Sequence, residues 1–192
     1  DEVIRREFRQ FESAWYDGQR IKLSRDRVDR LGYFSEVDIE TQEVPGTADQ
    51  VDLTINVKEK PTGSLMVGAN FSSADKLSLS GSIKQDNVFG SGNYLGVELN
   101  TSKSSRTLVL SSVDPYFTRD GISRSLDVYY RTNKPVNSQG ESYELVTPGA
   151  SVRFGVPFSE VDTVYFGGGV ERNEVKPGNY MPQAYQEFCD TQ

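Results

Sequence analysis

From Leu65 to Val170 the chain alternates apolar and polar residues with a period of two, and few architectures accept that pattern. Behind Gly63, the residues Leu65, Val67, Ala69 and Phe71 alternate with Ser64, Met66, Gly68 and Asn70. The same rhythm returns with Leu77, Leu79 and Ile83, with Leu95, Val97 and Leu99, and with Leu126, Val128 and Tyr130. It returns again with Val152, Phe154 and Val156, and with Val164, Phe166 and Val170. A period of two puts each set on one side of a pleated strand. Arg106 to Pro115 is the least regular segment, because Leu108, Val109 and Leu110 are consecutive; counting it, the pattern predicts seven antiparallel strands.

The turns sort into two kinds. SSADK (72–76), SKSSR (102–106) and KPVNSQGE (134–141) are polar or nearly so, whereas DNVFGSGN (86–93), DPYFTRDG (114–121) and PFSEVD (157–162) carry Phe89, Tyr116 with Phe117, and Phe158. Alternate turns of an up-and-down meander lie at the same end, so one end is aromatic and the other polar. Aromatic rings favour a bilayer interface, which makes this segregation the expectation for a membrane sheet; the plainer alternative is that each Phe closes the end of a soluble core.

Composition fits the membrane reading. Hydrophobic residues make up 35% of the chain, yet it has 10 Tyr and 10 Phe, which suits a sheet with one apolar face and one wet face. No apolar run reaches the ~18 residues of a membrane helix, whereas membrane strands need only alternation. Membrane barrels close from about eight strands upward, and in lipid each unpaired backbone group costs roughly several kcal/mol. Seven strands are therefore expected to be a piece of a larger transmembrane β-barrel. DEVIRREF has no apolar signal core, so any export signal is expected upstream or already removed.

Charge divides the chain at Thr62. Residues 1–61 hold 14 acidic and 10 basic residues; the other 131 residues hold 14 and 11. Both parts are net acidic, which argues against nucleic acid as a partner. In the first part, Ile4, Phe8, Phe11 and Trp15 predict an amphipathic helix from about Glu2 to Trp15, broken at Asp17-Gly18. A second helix is expected over Gln19–Leu31, with Ile21, Ser24, Val28 and Leu31 on one face and Gly32 as its C-cap. Strands are expected over Phe34–Val44 and Val51–Glu59 around a Pro45-Gly46 turn. Two strands alone are marginal, so a third is expected to precede Asp1. The fold class is thus an α+β domain over 1–61 followed over 62–192 by the N-terminal part of an up-and-down barrel.

Enzyme chemistry has little to stand on. The chain has no histidine, so neither a zinc site nor an ordinary general base is expected, and no cofactor or metal is implied. Gly90-Ser91-Gly92 reads as a turn, and Gly167-Gly168-Gly169 as small residues within a strand. Cys189 reads as a spare thiol.

DEVIRREFRQFESAW, RVDRLGYFSEVDIETQEVPGTADQVDLTINVKEKPTGS, QDNVFGSGNYLG and DPYFTRDGIS, in that order, closely resemble the BamA family of bacterial outer-membrane protein assembly factors. The resemblance spans residues 1 to about 175; the polar turns and the tail from Lys176 depart from it. It implies that 1–61 is a periplasmic POTRA domain lacking its first strand, and that the rest begins a barrel whose first strand meets its last at a weak seam. It further implies insertion of nascent outer-membrane proteins into the outer membrane, together with lipoprotein partners and without ATP. A related polypeptide-secreting pore and a soluble α+β adhesion or binding module are the alternative readings.

Three candidate sites follow. The strand Gly63–Phe71 carries two glycines and Val67 as its only β-branched residue, which marks it either as a seam for substrate-strand pairing or as an ordinary first strand. Val37, Asp38, Ile39, Glu40, Thr41, Gln42 and Glu43 form, by resemblance, an exposed POTRA edge that either accepts an extended peptide or uses its acids against aggregation. Glu12, with Arg5 and Arg9 on the polar side of the first helix, corresponds to a lipoprotein contact in the family; from sequence alone it is a solvated face with ion pairs.

Overall fold

A computed structural model of the chain describes residues 2–47, 49–73, 76–134 and 142–180. They form two compact units: residues 1–62 with 86–92, and residues 63–85 with 93–192.

In the first unit a short helix, α1 (Glu2–Arg5), precedes α2 (Gly18–Arg30) and the hairpin β1 (Phe34–Glu43) and β2 (Val51–Glu59). Asp17 caps α2, its carboxylate accepting from the backbone N–H groups of Gln19 and Arg20. Gly32, with φ of 72°, takes the left-handed turn after α2. Val28 and Ser24 on the inner face of α2 are fully buried, and Val28 packs with Phe34 and Val37 to form the core. The hairpin pairs Val37 with Val57 and Ile39 with Ile55, so those four side chains share one face, while Asp38 and Glu40 face Asn56 and Thr54.

The expected helix to Trp15 is not there. The backbone leaves α1 after Arg5, and Phe11 and Trp15 are 65% and 94% exposed. Tertiary hydrogen bonds replace the helical ladder: the Arg9 N–H donates to Ser24 Oγ at 2.8 Å, and the Gln10 side chain donates to the Trp15 carbonyl and accepts from the Asp17 N–H. Ser13 adopts a left-handed φ of 61°, which a continuing helix forbids. The buried Glu7 carboxylate, aimed at α2, receives the Arg27 guanidinium at 2.8 Å.

The second unit is one antiparallel meander: β3 (Gly63–Ser72), β4 (Lys76–Gln85), β5 (Tyr94–Thr101), β6 (Ser105–Asp114), β7 (Ser123–Asn133), β8 (Ser142–Pro157), β9 (Thr163–Glu171) and β10 (Glu174–Tyr180). Among the described residues the sheet thus has eight strands against the seven expected. The added strand is collinear with its predecessor: β9 pairs Glu171 with Gly149, β10 pairs Glu174 with Val146, and the Arg172 N–H bonds the Pro148 carbonyl between them. One long strand is interrupted at Arg172–Asn173, and β8 is correspondingly longer than the alternating stretch Ser151–Val156.

Register sorts the two faces. Leu65, Ile83, Val97, Leu110, Val128, Ala150 and Val170 follow one another across the sheet as direct neighbours, so every alternating apolar set lies on the same side. The irregular triplet resolves in the same way. Leu108 and Leu110 join the apolar face, and Val109 turns to the other, between Glu98 and Tyr129. That other face is polar: Lys84 meets Glu98 at 2.7 Å, Ser111 donates to Asp127 at 2.6 Å, and Tyr129 donates to Glu171 at 3.0 Å.

Candidate functional site

The sheet's first strand is its most distinctive element. β3 pairs with β4 along its whole length without a bulge, from Gly63 opposite Gln85 to Ser72 opposite Lys76. Among the described residues nothing pairs with its other edge. One side of β3 presents Leu65, Val67 and Phe71, all well exposed, with Val67 at 82%. On the opposite side Ser64, Met66, Gly68 and Asn70 stand beside Lys84, Ser82, Ser80 and Ser78. The hydroxyls of Ser78 and Ser80 donate to the carbonyls of Asn70 and Gly68 at 3.3 and 3.5 Å. A Cβ at Gly68 would come within 2.7 Å of Ser80 Oγ, so glycine there leaves room for the serine. The strand is therefore held along its whole length on one side, and its other edge has no partner strand among the described residues.

The second candidate, β1, pairs only with β2 among the described residues. Its edge is not bare throughout, because Arg25 Nε on α2 donates to the Val37 carbonyl at 3.1 Å. Asp38, Glu40 and Glu43 are exposed, and Glu40 accepts from Asn56 Nδ2 at 3.2 Å. For the third candidate, Arg5 and Glu12 do come together, Nη1 to Oε1 at 3.2 Å with both side chains exposed. Their helix-spacing rationale fails, since Glu12 lies beyond the end of α1 in irregular chain. Arg9 instead turns its guanidinium back to the carbonyls of Arg6 and Phe8.

Sequence reasoning missed an arrangement within the first unit. The turn joining β4 to β5 packs in that unit, where Tyr33 donates to the Gly92 carbonyl at 3.2 Å and Thr62 Oγ1 donates to the Asp86 carbonyl at 2.7 Å. Asn87 Oδ1 accepts from the Gly92 N–H at 2.8 Å and braces the loop. Burial, followed by the nearby Asp86 carboxylate, pushes the Tyr33 hydroxyl pKa above its ordinary value of 10.0. Gly92 takes a positive φ of 78° in this loop, a conformation that suits glycine. Phe89 at its tip is fully exposed and itself left-handed, with φ of 51°.

A small α+β domain joined to an antiparallel meander with one apolar and one polar face defines the class: a membrane β-sheet protein with an appended soluble-type domain. The Omp85 superfamily domain matches residues 87–189, more than half of the chain, and the POTRA model, described as surface antigen variable number repeat, matches residues 1–60. The chain belongs to the Omp85 superfamily. It is 40% identical over 190 residues to the outer membrane protein assembly factor BamA of Neisseria meningitidis, an alignment covering 98% of this chain and 24% of that protein. It is 31% identical to the BamA of Nitratidesulfovibrio vulgaris, over 91% of this chain and 21% of that one. The crystal structure of BamA from Haemophilus ducreyi lacking POTRA domains 1–3 superposes with a TM-score of 0.77 at 33% identity, covering 92% of this chain and 33% of the other. The chain thus spans about a quarter of the length of the curated relatives it matches.

Proposed function

We propose that the protein containing this chain assembles and inserts nascent β-barrel proteins into the bacterial outer membrane, with the POTRA unit in the periplasm. Residues 62–192 serve as the first part of the barrel, and the open edge of β3 is where a substrate strand pairs. The observation that carries this reading is the one-sided pairing of β3. A strand bonded along its whole length to β4, and without a partner strand on its other edge among the described residues, offers that edge to any extended chain through backbone groups, independent of sequence. The work is strand templating without covalent chemistry, so the protein is no enzyme and needs no cofactor. The assembly-factor names of its relatives support the same reading.

Within this reading, β1 from Val37 to Glu43 receives extended substrate in the periplasm, with Arg25 limiting access at Val37. The Arg5–Glu12 pair, exposed on the first unit, is the contact for a lipoprotein partner, and outer-membrane lipid covers the apolar face. A disulfide tying a cysteine at Met66 to the barrel's last strand tests the seam. Substrate assembly should stop in the oxidised protein and return on reduction; undiminished assembly in the locked protein refutes it.

A further inference from the structure

The apolar face is not uniformly convex. A shallow depression of about 660 Å³ lies on it where β6 to β9 meet. Its floor is Pro148 and Ala150, small residues on β8, and taller side chains stand around them: Leu108, Leu110, Tyr130 and Val170. Register explains the shape. Leu108, Tyr130 and Pro148 are successive neighbours in one row, and Leu110, Val128, Ala150 and Val170 in the next, so the two smallest side chains sit together between branched or aromatic ones.

The depression also has a charged margin. Arg172 lines it and continues the first row, its N–H bonded to the Pro148 carbonyl at 3.0 Å. One row further toward the polar turns, Arg106 is opposite Thr132, which is opposite Val146. Both arginines therefore lie on the apolar face, where it gives way to the polar-turn end. Among the described residues neither guanidinium makes an ion pair or a side-chain hydrogen bond. Nearby, Lys134 is already taken by Glu144 at 3.2 Å, the Glu171 carboxylate that lines the depression accepts from the Tyr129 hydroxyl at 3.0 Å, and Glu174 beside Val146 is the remaining carboxylate of this margin. With Lys176 counted, the uncommitted charges are three cations against one anion.

We propose that this depression with its arginine margin binds one anionic, phosphate-bearing lipid of the leaflet at the polar-turn end, with an acyl chain over Pro148 and Ala150. The proposal rests on the membrane reading given above. Arginine presents a planar fork of N–H donors matched to phosphate oxygens, and a long side chain at the edge of an apolar band carries its charge out to the headgroup level. A basic margin next to an apolar groove selects an anionic headgroup over a zwitterionic one through charge, while the groove itself excludes a free anion as the preferred ligand.

The test uses the full-length protein reconstituted in phosphatidylcholine vesicles containing phosphatidylglycerol, then extracted in mild detergent and weighed intact by native mass spectrometry. Wild type should keep one phosphatidylglycerol molecule in preference to phosphatidylcholine. The Arg106→Ala/Arg172→Ala protein should retain it about thirtyfold less, from about fivefold per arginine at a membrane surface. Ala150→Trp, which fills the floor without altering charge, should also lower retention. Undiminished retention in the double variant overturns the proposal, and so does displacement of the lipid by inorganic phosphate, which would mark a simple anion site. Insertion with no lipid preference overturns the lipid site alone; failure to insert into vesicles of any composition overturns the membrane reading beneath it.

Discussion

Leu110→Arg and Val109→Arg, made separately, separate the two faces of the sheet more sharply than any other pair of neighbours. Leu110 lies between Val97 and Val128 in the middle of the apolar face, whereas Val109 lies on the other face between Glu98 and Tyr129. If the apolar face meets lipid, arginine at 110 near mid-depth should cost about 2–4 kcal/mol. That lowers the folded, inserted fraction at equilibrium by roughly 30- to 700-fold at about 1.4 kcal/mol per decade. Arginine at 109 reaches the wet face, opposite the Glu98 carboxylate, and its effect should stay within about 0.5 kcal/mol. The assay is urea-titrated folding of the full-length protein into phosphatidylcholine vesicles, read by the mobility of unheated protein on a denaturing gel. Normal folding of Leu110→Arg, or equal failure of both variants, refutes the facing assignment. Hydropathy alone could not distinguish these positions, since both residues are aliphatic.

Other outcomes follow from the first unit. Arg27→Met strands the buried Glu7 carboxylate and should destabilise this unit by about 3–5 kcal/mol in chemical unfolding. Tyr33 has a pKa raised in the folded state, so its contribution is fully present below about 10 and is lost as pH rises through the folded value. Unfolding midpoints measured across alkaline pH should fall in that window, and Tyr33→Phe should remove this dependence. Gly92→Ala places a Cβ against the Arg6 guanidinium in a left-handed backbone and should cost at least about 1–2 kcal/mol in the same unfolding measurement.

How far the sequence spoke depended on where the structure-determining interactions lie. The sheet was legible because facing is written directly into period two, and the register carried the apolar sets of neighbouring strands onto one side as the pattern requires. β10 was lost because the apolar alternation ends at Val170, although the ladder continues from Glu171 to Glu174 with its register unchanged. The first helix failed for a different reason. Ile4, Phe8, Phe11 and Trp15 have helical spacing, but Ser24 and Gln10, distant from or outside that stripe, supply the hydrogen bonds that hold a non-helical path. α2 kept its expected bounds within a residue because its cap and its buried face are local. β3 itself was visible as an alternating, glycine-bearing strand that opens the sheet, whereas the serine hydroxyls that bond across from β4 to its carbonyls were not, because they leave no periodic trace.

The central claim is that a substrate strand pairs with the free edge of β3. In a Cys189→Ser background, single cysteines at successive positions from Gly63 to Phe71 of the full-length protein would be paired with single cysteines along one strand of a substrate, and disulfide formation scored during assembly. The account predicts crosslinks that advance in antiparallel or parallel register, one substrate residue per β3 residue, with the strongest yields among positions sharing a face. Crosslinks without register, or none along β3 while assembly proceeds, would contradict it.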